Sequence, residues 1–151
     1  MHRTSEEFDR HVRRYVYDVI LKRGYPPSMT ETSADLETPP GQVRAAFQRL
    51  AAGRVLVLQR DTGEILMANP FSAVPTPFLV ELDEFSCYGN CVWDALGIPA
   101  MLKLNGRIRT SCGCCGTAME LTVHERALQP APGLIHFAVP ALRWWDDITF
   151  T

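Results

Sequence analysis

The sequence predicts an α+β protein in which a winged-helix-like helical head precedes a mixed β-sheet core with short helices. Three observations support this. Apolar residues recur at helical spacing through the first third of the chain, short alternating runs typical of strands fill the rest, and all five cysteines lie between positions 87 and 115. We predict a helical domain over residues 1–75 and a cysteine-containing β core over 76–151, which ends inside a strand.

The helices of the head are predicted from periodicity and from their end signals. Residues 5–22 place apolar side chains on one helical face, and Gly24 with two prolines ends that helix. A second helix is predicted near 30–37, with Thr30 or Thr32 as its N-cap. A third, over 41–52, begins after Pro39-Pro40 and is followed by Gly53.

A β-hairpin completes the winged-helix pattern, with strands 54–59 and 64–68 around Asp61-Thr62-Gly63. Winged helices commonly bind DNA, and helix 41–52 offers polar residues that could contact it: Gln42, Arg44, Gln48 and Arg49. Residues 1–75, however, hold ten Lys/Arg against nine Asp/Glu, without the basic excess of a DNA-binding head. We therefore predict that the head packs on the cysteine half and does not bind nucleic acid.

Elements of the core are predicted from shorter patterns. The proline-rich segment 70–77 is predicted to be a junction, and a short helix begins at 90–97 and is interrupted or closed by Pro99. Residues 103–111 are predicted to form two strand pieces around an Asn105-Gly106 hairpin turn. Further strands are predicted at 78–82, 119–125 and 134–140, and a last one begins within 144–151.

Composition excludes several classes of protein. With 46% hydrophobic and 21% charged residues, the chain has an ordinary globular composition, and its formal charge of -2 does not indicate a polyanion-binding protein. No apolar run approaches the ~18 residues that a membrane span needs. The polar N-terminus, MHRTSEEFDR, is not a secretory signal. We expect a cytoplasmic protein with reduced cysteines and no membrane partner.

The first cysteine cluster contains Cys87, Cys91 and Asp94. Cys91 and Asp94 are three residues apart, so they share one face if a helix starts near Asn90. A helix N-terminus favours a thiolate, and we expect it to lower the Cys91 pKa. Asp94 could take up or return the proton. The alternative is a buried free cysteine beside a helix-capping aspartate.

The second cluster is Cys112, Cys114 and Cys115, flanked by glycines. Three thiols in four positions, with a C-x3-C upstream, suggest a structural zinc site, although the spacing is not the usual pair of C-x2-C motifs. Soft thiolates also bind Cu(I) and Hg(II). We predict that one soft ion binds through at least two of the five thiols: Cys87, Cys91, Cys112, Cys114 and Cys115.

Other candidate residues are given structural roles. His124 and His136, on predicted strands, are expected to be structural rather than ligands. The three tryptophans, Trp93, Trp144 and Trp145, are expected in the core or in a pocket wall. Asp146 and Asp147 are expected to cap the loop before the last strand.

Three motifs together resemble the alkylmercury (organomercurial) lyases: CVWDALGIPAML, SCGCCGTAMELTV and HFAVP. The resemblance covers roughly residues 5–151. In that family a Cys-x-x-Asp segment is followed by a proline five residues after the aspartate, as with Cys91, Asp94 and Pro99 here. A family cysteine also precedes the valine of a Leu-Thr-Val strand by eleven residues, as Cys112 precedes Val123.

The resemblance implies protonolysis of carbon–mercury bonds, which releases a hydrocarbon and Hg(II) and serves mercury resistance. It makes Cys91 the nucleophile and mercury ligand, Asp94 the proton shuttle and Cys112 a structural residue. It implies that no cofactor is required. The partner would be a small organomercurial or a soft metal ion.

One departure from the family pattern concerns its second catalytic cysteine, which follows an aromatic residue on a late strand. The matching stretch here is Ile148-Thr149-Phe150-Thr151, and the sequence has no cysteine after Cys115. Either the chain is a fragment, or Cys87, Cys114 or Cys115 substitutes. Without a second thiolate we expect weak turnover. The alternative function is a non-catalytic protein that binds or senses zinc, copper or mercury through its thiolates.

Overall fold

The structure, a computed structural model, describes residues 4–149 and confirms the α+β class. Its helices are α1 (Ser5–Arg23), α2 (Met29–Asp35), α3 (Pro40–Ala52) and α4 (Val92–Leu102), with a 3-10 helix at Ala141–Asp146. The strands are β1 (Leu56–Leu58), β2 (Ile65–Ala68), β3 (Phe71–Ser72), β4 (Leu79–Glu81), β5 (Ser86–Gly89), β6 (Gly106–Ser111), β7 (Ala118–His124) and β8 (Ala127–Leu128).

The eight strands form one sheet in the order β1-β2-β3-β5-β4-β6-β7-β8. Every pairing in it is antiparallel, so the prediction of a mixed sheet was wrong. Helix α4 does connect β5 to β6, which run in the same direction, but β4 lies between these two strands and pairs with both of them in antiparallel orientation.

Three helices pack on the first strands of this sheet as the head. Their apolar faces form its core through Val12, Val16, Ile20, Val43 and Phe47, each without exposed surface. Helix α1 begins with a capping box at Thr4 and ends at Gly24 in the left-handed conformation. Helix α2 is capped by Ser28, which accepts from the Glu31 N–H, and not by Thr30 or Thr32 as predicted.

The segment predicted as a junction contains strand β3, which links the head hairpin to the rest of the sheet. It pairs with β2 on one side and β5 on the other. The three helices and the β1–β2 hairpin follow the order of a winged helix. The winged-helix identity and the domain boundary at residue 75 stay predictions, since one sheet runs through both halves.

The hairpin predicted at Asn105-Gly106 does not form, and a longer helix precedes a single strand there. Helix α4 continues through Pro99 to Leu102 and ends at Lys103 in the left-handed conformation. Gly106 then begins β6 against the helix, where a β-carbon would stand 2.9 Å from the Pro99 β-carbon. Glycine serves close packing here rather than a turn.

The end of the described chain also differs from the prediction. Residues 134–140 form no strand, and residues 141–146 form a 3-10 helix where a last strand was expected. The edge of β7 is instead paired with β8, across a turn in which Glu125 and Arg126 both adopt positive φ. Residues 150 and 151 lie outside the described part, which contains no helix long and apolar enough to cross a membrane.

Candidate active site at the start of helix α4

A cavity of about 250 Å³ lies between the head hairpin, the start of α4 and the C-terminal 3-10 segment. Its lining brings together residues that are distant in sequence: Arg54, Met67, Asn69, Asn90, Cys91, Asp94, Trp144, Trp145 and Ile148. Apolar side chains provide most of the wall, and the titratable groups Cys91 and Asp94 lie side by side in it. This combination is typical of small-molecule sites.

Cys91 and Asp94 are placed by the junction of β5 and α4. The strand ends at Gly89, and Cys91 is the N-cap of the helix, with extended backbone at φ -142° and ψ -178°. Asp94 follows in the first turn, so both side chains point to the same side. The Cys91 thiol donates to Asp94 across 3.6 Å between Sγ and Oδ2. The predicted proximity of the two groups is therefore present, with the helix starting at Val92 instead of Asn90.

Burial raises the pKa of the Cys91 thiol above its ordinary value, which corrects the expectation that the helix start would lower it. The backbone N–H groups of Asp94 and Trp93 oppose this rise, and the negative charge of Asp94 adds to it. Loss of solvation outweighs the helix N-terminus because the thiolate sits in a largely apolar cavity. Burial thus favours the protonated thiol of Cys91 over its thiolate.

Burial also raises the pKa of the Asp94 carboxyl. Hydrogen bonds from the Asn90 side chain and from the Cys91 side chain and backbone act in the opposite direction without cancelling the effect. A carboxyl group in such surroundings holds a proton more readily than one in water, as a general acid must. The two raised pKa values have the same cause, which is exclusion of water from this end of the cavity.

Asn90 ties the site to the head. Its Nδ2 donates to Asn69 Oδ1 at 3.2 Å, and its own Oδ1 is buried without a hydrogen-bond partner among the described residues. Asn69 in turn accepts from the Tyr17 hydroxyl through its backbone carbonyl at 2.6 Å. The unpaired amide oxygen could therefore accept from a group that enters the cavity.

Two of the tryptophans form a wall of the cavity, as predicted, and the third does not. The Trp144 indole donates to the Val139 carbonyl at 2.8 Å and packs on Phe137, with ring centroids 5.1 Å apart. The Arg54 guanidinium lies 5.2 Å from the centroid of the Trp145 ring. Trp93, expected in the core or pocket wall, is instead 64% exposed, because it lies on the outer side of α4.

The other four cysteines do not join Cys91 in this cavity. Cys87, on β5, is only 2% exposed and belongs to the hydrophobic core, where burial raises its pKa to about 12. Cys112, Cys114 and Cys115 lie in the loop that connects β6 and β7. None of the three thiols suggested as a substitute second ligand, Cys87, Cys114 and Cys115, lines the cavity.

The prediction that one soft ion binds through at least two of the five thiols gains no support at Cys91 from the other four cysteines and stays a prediction. Among residues 4–149, no group of three or more Cys, His, Asp or Glu side chains is arranged to hold a metal ion. A structural zinc site needs about four such ligands, so the structure gives no support for zinc. Cys87 on β5 and the three cysteines after β6 belong to different parts of the sheet, because β4 lies between β5 and β6.

The remaining polar candidates lie elsewhere. His124, on β7, and His136, which is not in a strand, are both exposed and do not line the cavity. Asp146 accepts from Arg143 Nε at 2.9 Å, and Asp147 accepts from the Thr149 hydroxyl at 2.7 Å. Both aspartates make local contacts around the 3-10 helix, and no described strand follows them.

Several lining residues were missed from sequence, namely Arg54, Met67, Asn69, Asn90 and Ile148. The position of Asn90 next to Cys91 could have suggested a role in the site. The others lie on the head hairpin or near the chain end, and nothing in their local pattern indicates contact with Cys91. The fold brings them there through β3, which continues the head hairpin to the edge of β5.

Comparison with known proteins gives consistent results. A family model described as MerB, alkylmercury lyase, matches residues 71–151. The alkylmercury lyase of Streptomyces lividans is 27% identical over 124 residues, which cover 80% of this chain and 55% of that protein. The alkylmercury lyase of Staphylococcus epidermidis is 23% identical over the same length and the same shares. The chain thus spans about half the length of the curated relatives it matches.

A solved structure shares the fold. The crystal structure of the mercury-bound form of MerB2 superposes with a TM-score of 0.61 at 18% identity, covering 83% of this chain and 60% of that one. At this identity the likeness shows the fold alone.

Proposed function

This chain belongs to the alkylmercury lyase family, and from that premise we propose that it cleaves carbon–mercury bonds by protonolysis at Cys91 and Asp94. The observation that carries the proposal is the 3.6 Å contact between a half-buried thiol and a half-buried carboxyl group in a largely apolar cavity. The substrate would be a small organomercurial, and the biological role would be mercury resistance. No further cofactor takes part in the proposed chemistry.

The first step is capture of mercury by Cys91. The soft sulfur bonds to mercury, the S–H bond breaks, and the proton passes to Asp94, with which the thiol is already hydrogen-bonded. The raised pKa of Cys91 favours its thiol form before substrate binds, so the proton leaves the sulfur when the sulfur binds mercury. Mercury remains Hg(II) throughout.

The second step is proton delivery to carbon. Asp94, whose pKa is raised by burial, holds the proton beside the bound mercury. As the carbon–mercury bond breaks, its electron pair stays with carbon and takes up this proton, and the hydrocarbon leaves. Hg(II) stays on sulfur, and the carboxylate returns to its starting form. A poised general acid typically contributes 10²–10⁴-fold to rate.

The rest of the cavity suits the organic group of the substrate. Met67, Trp144 and Trp145 offer apolar and aromatic surface next to the two reactive groups. A volume of about 250 Å³ limits the substrate to a short alkyl group or a single ring. Water would be largely displaced by such a group, which keeps the proton on the carboxyl for transfer to carbon.

A second sulfur ligand for mercury is not found among the described residues that line the cavity. Among the described lining residues Cys91 is the one that bears a thiol, so the ion is not shared with another cysteine of residues 4–149. An added small thiol could supply the second sulfur. We therefore expect turnover to increase when such a thiol is present.

Incubation of the protein with phenylmercury, with and without a small thiol, tests the proposal. We expect benzene to form in the headspace and Hg(II) to appear in equal amount, with more product when the thiol is present. Cys91→Ser should abolish benzene formation, whereas Cys114→Ser, which removes an exposed thiol outside the cavity, should not. Absence of benzene from the unaltered protein under both conditions would overturn the proposal.

A further inference from the structure

We propose that Cys112 and Cys115, at the tip of the β6–β7 hairpin, form a second, exposed binding site for a two-coordinate soft cation such as Hg(II). This site is separate from the Cys91 cavity, and its occupation requires no bond cleavage there. Its two thiols belong neither to the hydrophobic core nor to the Cys91 cavity. The proposal concerns binding alone.

Residues 112 to 117 form a tight turn closed by backbone hydrogen bonds. The Cys112 N–H donates to the Thr117 carbonyl, and the Gly116 N–H donates to the Cys112 carbonyl, both at 2.8 Å. Gly116 adopts a φ of +71°, which glycine tolerates without strain. This closed turn holds positions 112 and 115 near each other, with the Cys115 thiol interacting with Cys112.

Neighbouring groups favour the thiolate form of Cys115. Its sulfur lies 3.1 Å from the Thr117 hydroxyl oxygen. Hydrogen bonds from the Thr117 side chain and backbone, and from the Cys112 side chain, lower the pKa of Cys115 below its ordinary value. The thiolate is the form of cysteine that reacts with soft metals near neutral pH, and an exposed thiolate is accessible to them.

The number of donors selects the type of ion. Two thiolates complete the preferred linear coordination of Hg(II), whereas zinc needs about four ligands. Within the described part of the chain no third Cys, His, Asp or Glu joins the pair to make a larger site. Relative to the fully protonated dithiol, binding replaces two S–H bonds with two S–Hg bonds and releases two protons to solvent. Neither the metal nor the sulfur changes oxidation state.

The sheet register places this pair at the same end of the molecule as Cys91. Leu79 on β4 is paired with Tyr88 on β5 and with Arg109 on β6. Cys91 and Cys112 each lie three residues beyond this line, and β5 and β6 run in the same direction because both are antiparallel to β4. At the line of Tyr88 and Arg109 the two strands are two strand spacings apart, or about 10 Å. Mercury released near Cys91 would thus meet the hairpin tip at the same end of the sheet.

Native mass spectrometry of the Cys91→Ser variant, reduced and then handled without oxygen or added thiol, tests this site independently of lyase activity. With one equivalent of HgCl₂ we expect one bound mercury, two lost protons and a sulfur-to-mercury charge-transfer absorption. Adding Cys112→Ser and Cys115→Ser should remove the complex that survives dialysis against a competing thiol. Adding Cys114→Ser instead should leave it intact.

The single Cys115→Ser change, which alters one exposed side chain only, guards against misfolding of the hairpin. We expect it to weaken Hg(II) binding at least 100-fold in the Cys91→Ser background. Retention of the complex in that variant, or its loss with Cys114→Ser alone, would overturn the assignment. Failure of phenylmercury cleavage in the unaltered protein would leave this result untouched, so the two proposals fail separately.

Discussion

Gly89 lies directly against Ala95, where strand β5 meets the first turn of helix α4. A β-carbon at residue 89 would stand 2.7 Å from the Ala95 nitrogen and 2.9 Å from the Ala95 β-carbon. The absence of a side chain lets the helix begin at Val92, three residues after the strand ends at Gly89. This close contact fixes the N-cap position of Cys91 and therefore its distance to Asp94.

Substitution Gly89→Ala should disturb the site through this contact. The new methyl group meets backbone atoms that cannot rotate away, so α4 must shift, at a cost of about 1–3 kcal/mol. We expect a lower free energy of unfolding in urea and slower capture of phenylmercury by Cys91.

The control is Gly97→Ala, in the same helix and with nothing within 4 Å of the new methyl group. It should leave capture unchanged and stabilise by up to about 1 kcal/mol. Equal effects of both changes would refute this role of Gly89.

The Asp94→Asn variant should become more stable than the unaltered protein as pH rises. Burial raises the pKa of Asp94 in the folded state, so its contribution to stability is complete below its unfolded pKa of about 4 and is lost as pH rises through the higher folded value. Asparagine does not ionise. Urea unfolding at pH 4 and pH 8 should show that the free energy of unfolding of the variant, relative to the unaltered protein, is higher at pH 8 than at pH 4. Asp146→Asn, at an exposed carboxylate, is the control. A shift in the opposite direction would show that ionised Asp94 stabilises the fold.

The cysteines should differ widely in their rate of alkylation. Cys115 is exposed with a lowered pKa, whereas Cys87 is buried with a pKa of about 12, so at pH 7 the first has far more reactive thiolate than the second. With iodoacetamide and peptide mapping we expect Cys115 to be modified first and Cys87 only after unfolding. Rapid labelling of Cys87 in the folded protein would contradict its place in the core.

The helical head should not bind DNA. Its ten basic residues are balanced by nine acidic ones, and Arg49, a candidate contact on α3, is already paired with Asp9 at 2.7 Å. We expect no mobility shift with random duplex DNA at micromolar protein. A shift that disappears with added salt would indicate phosphate contacts and would count against this view.

Local patterns predicted helices α1 and α3 well because the causes of these helices are local, whereas α4 extends five residues beyond its predicted end. Apolar spacing and end signals placed α1 and α3 within one residue of their observed limits. The β7–β8 hairpin was missed because its turn uses Glu125 and Arg126 at positive φ, where Asn or Gly would be expected. The turn predicted at Asn105-Gly106 failed because packing against Pro99 outweighed its turn preference.

The proximity of Cys91 and Asp94 was predictable from the sequence, and the surroundings of the two residues were not. A spacing of three residues at a helix start places Cys91 beside Asp94 whatever the rest of the chain does. The pKa of Cys91, by contrast, depends on burial by Trp144, Trp145 and the head hairpin, which no local pattern near residue 91 reveals. Closeness in sequence also did not indicate which thiols lie together, because β4 lies between β5, which carries Cys87, and β6, which leads to the loop cysteines.

The central claim, that Asp94 delivers the proton after Cys91 captures mercury, is tested most directly by the Asp94→Asn variant. The variant should be made in a background where Cys112, Cys114 and Cys115 are serine, so that the loop thiols do not compete. After reaction with phenylmercury, we expect intact mass spectrometry to show a lasting phenylmercury adduct on Cys91, with benzene formation at least 100-fold slower than with Asp94 present. Loss of the phenyl group and formation of benzene at the unaltered rate would contradict the account.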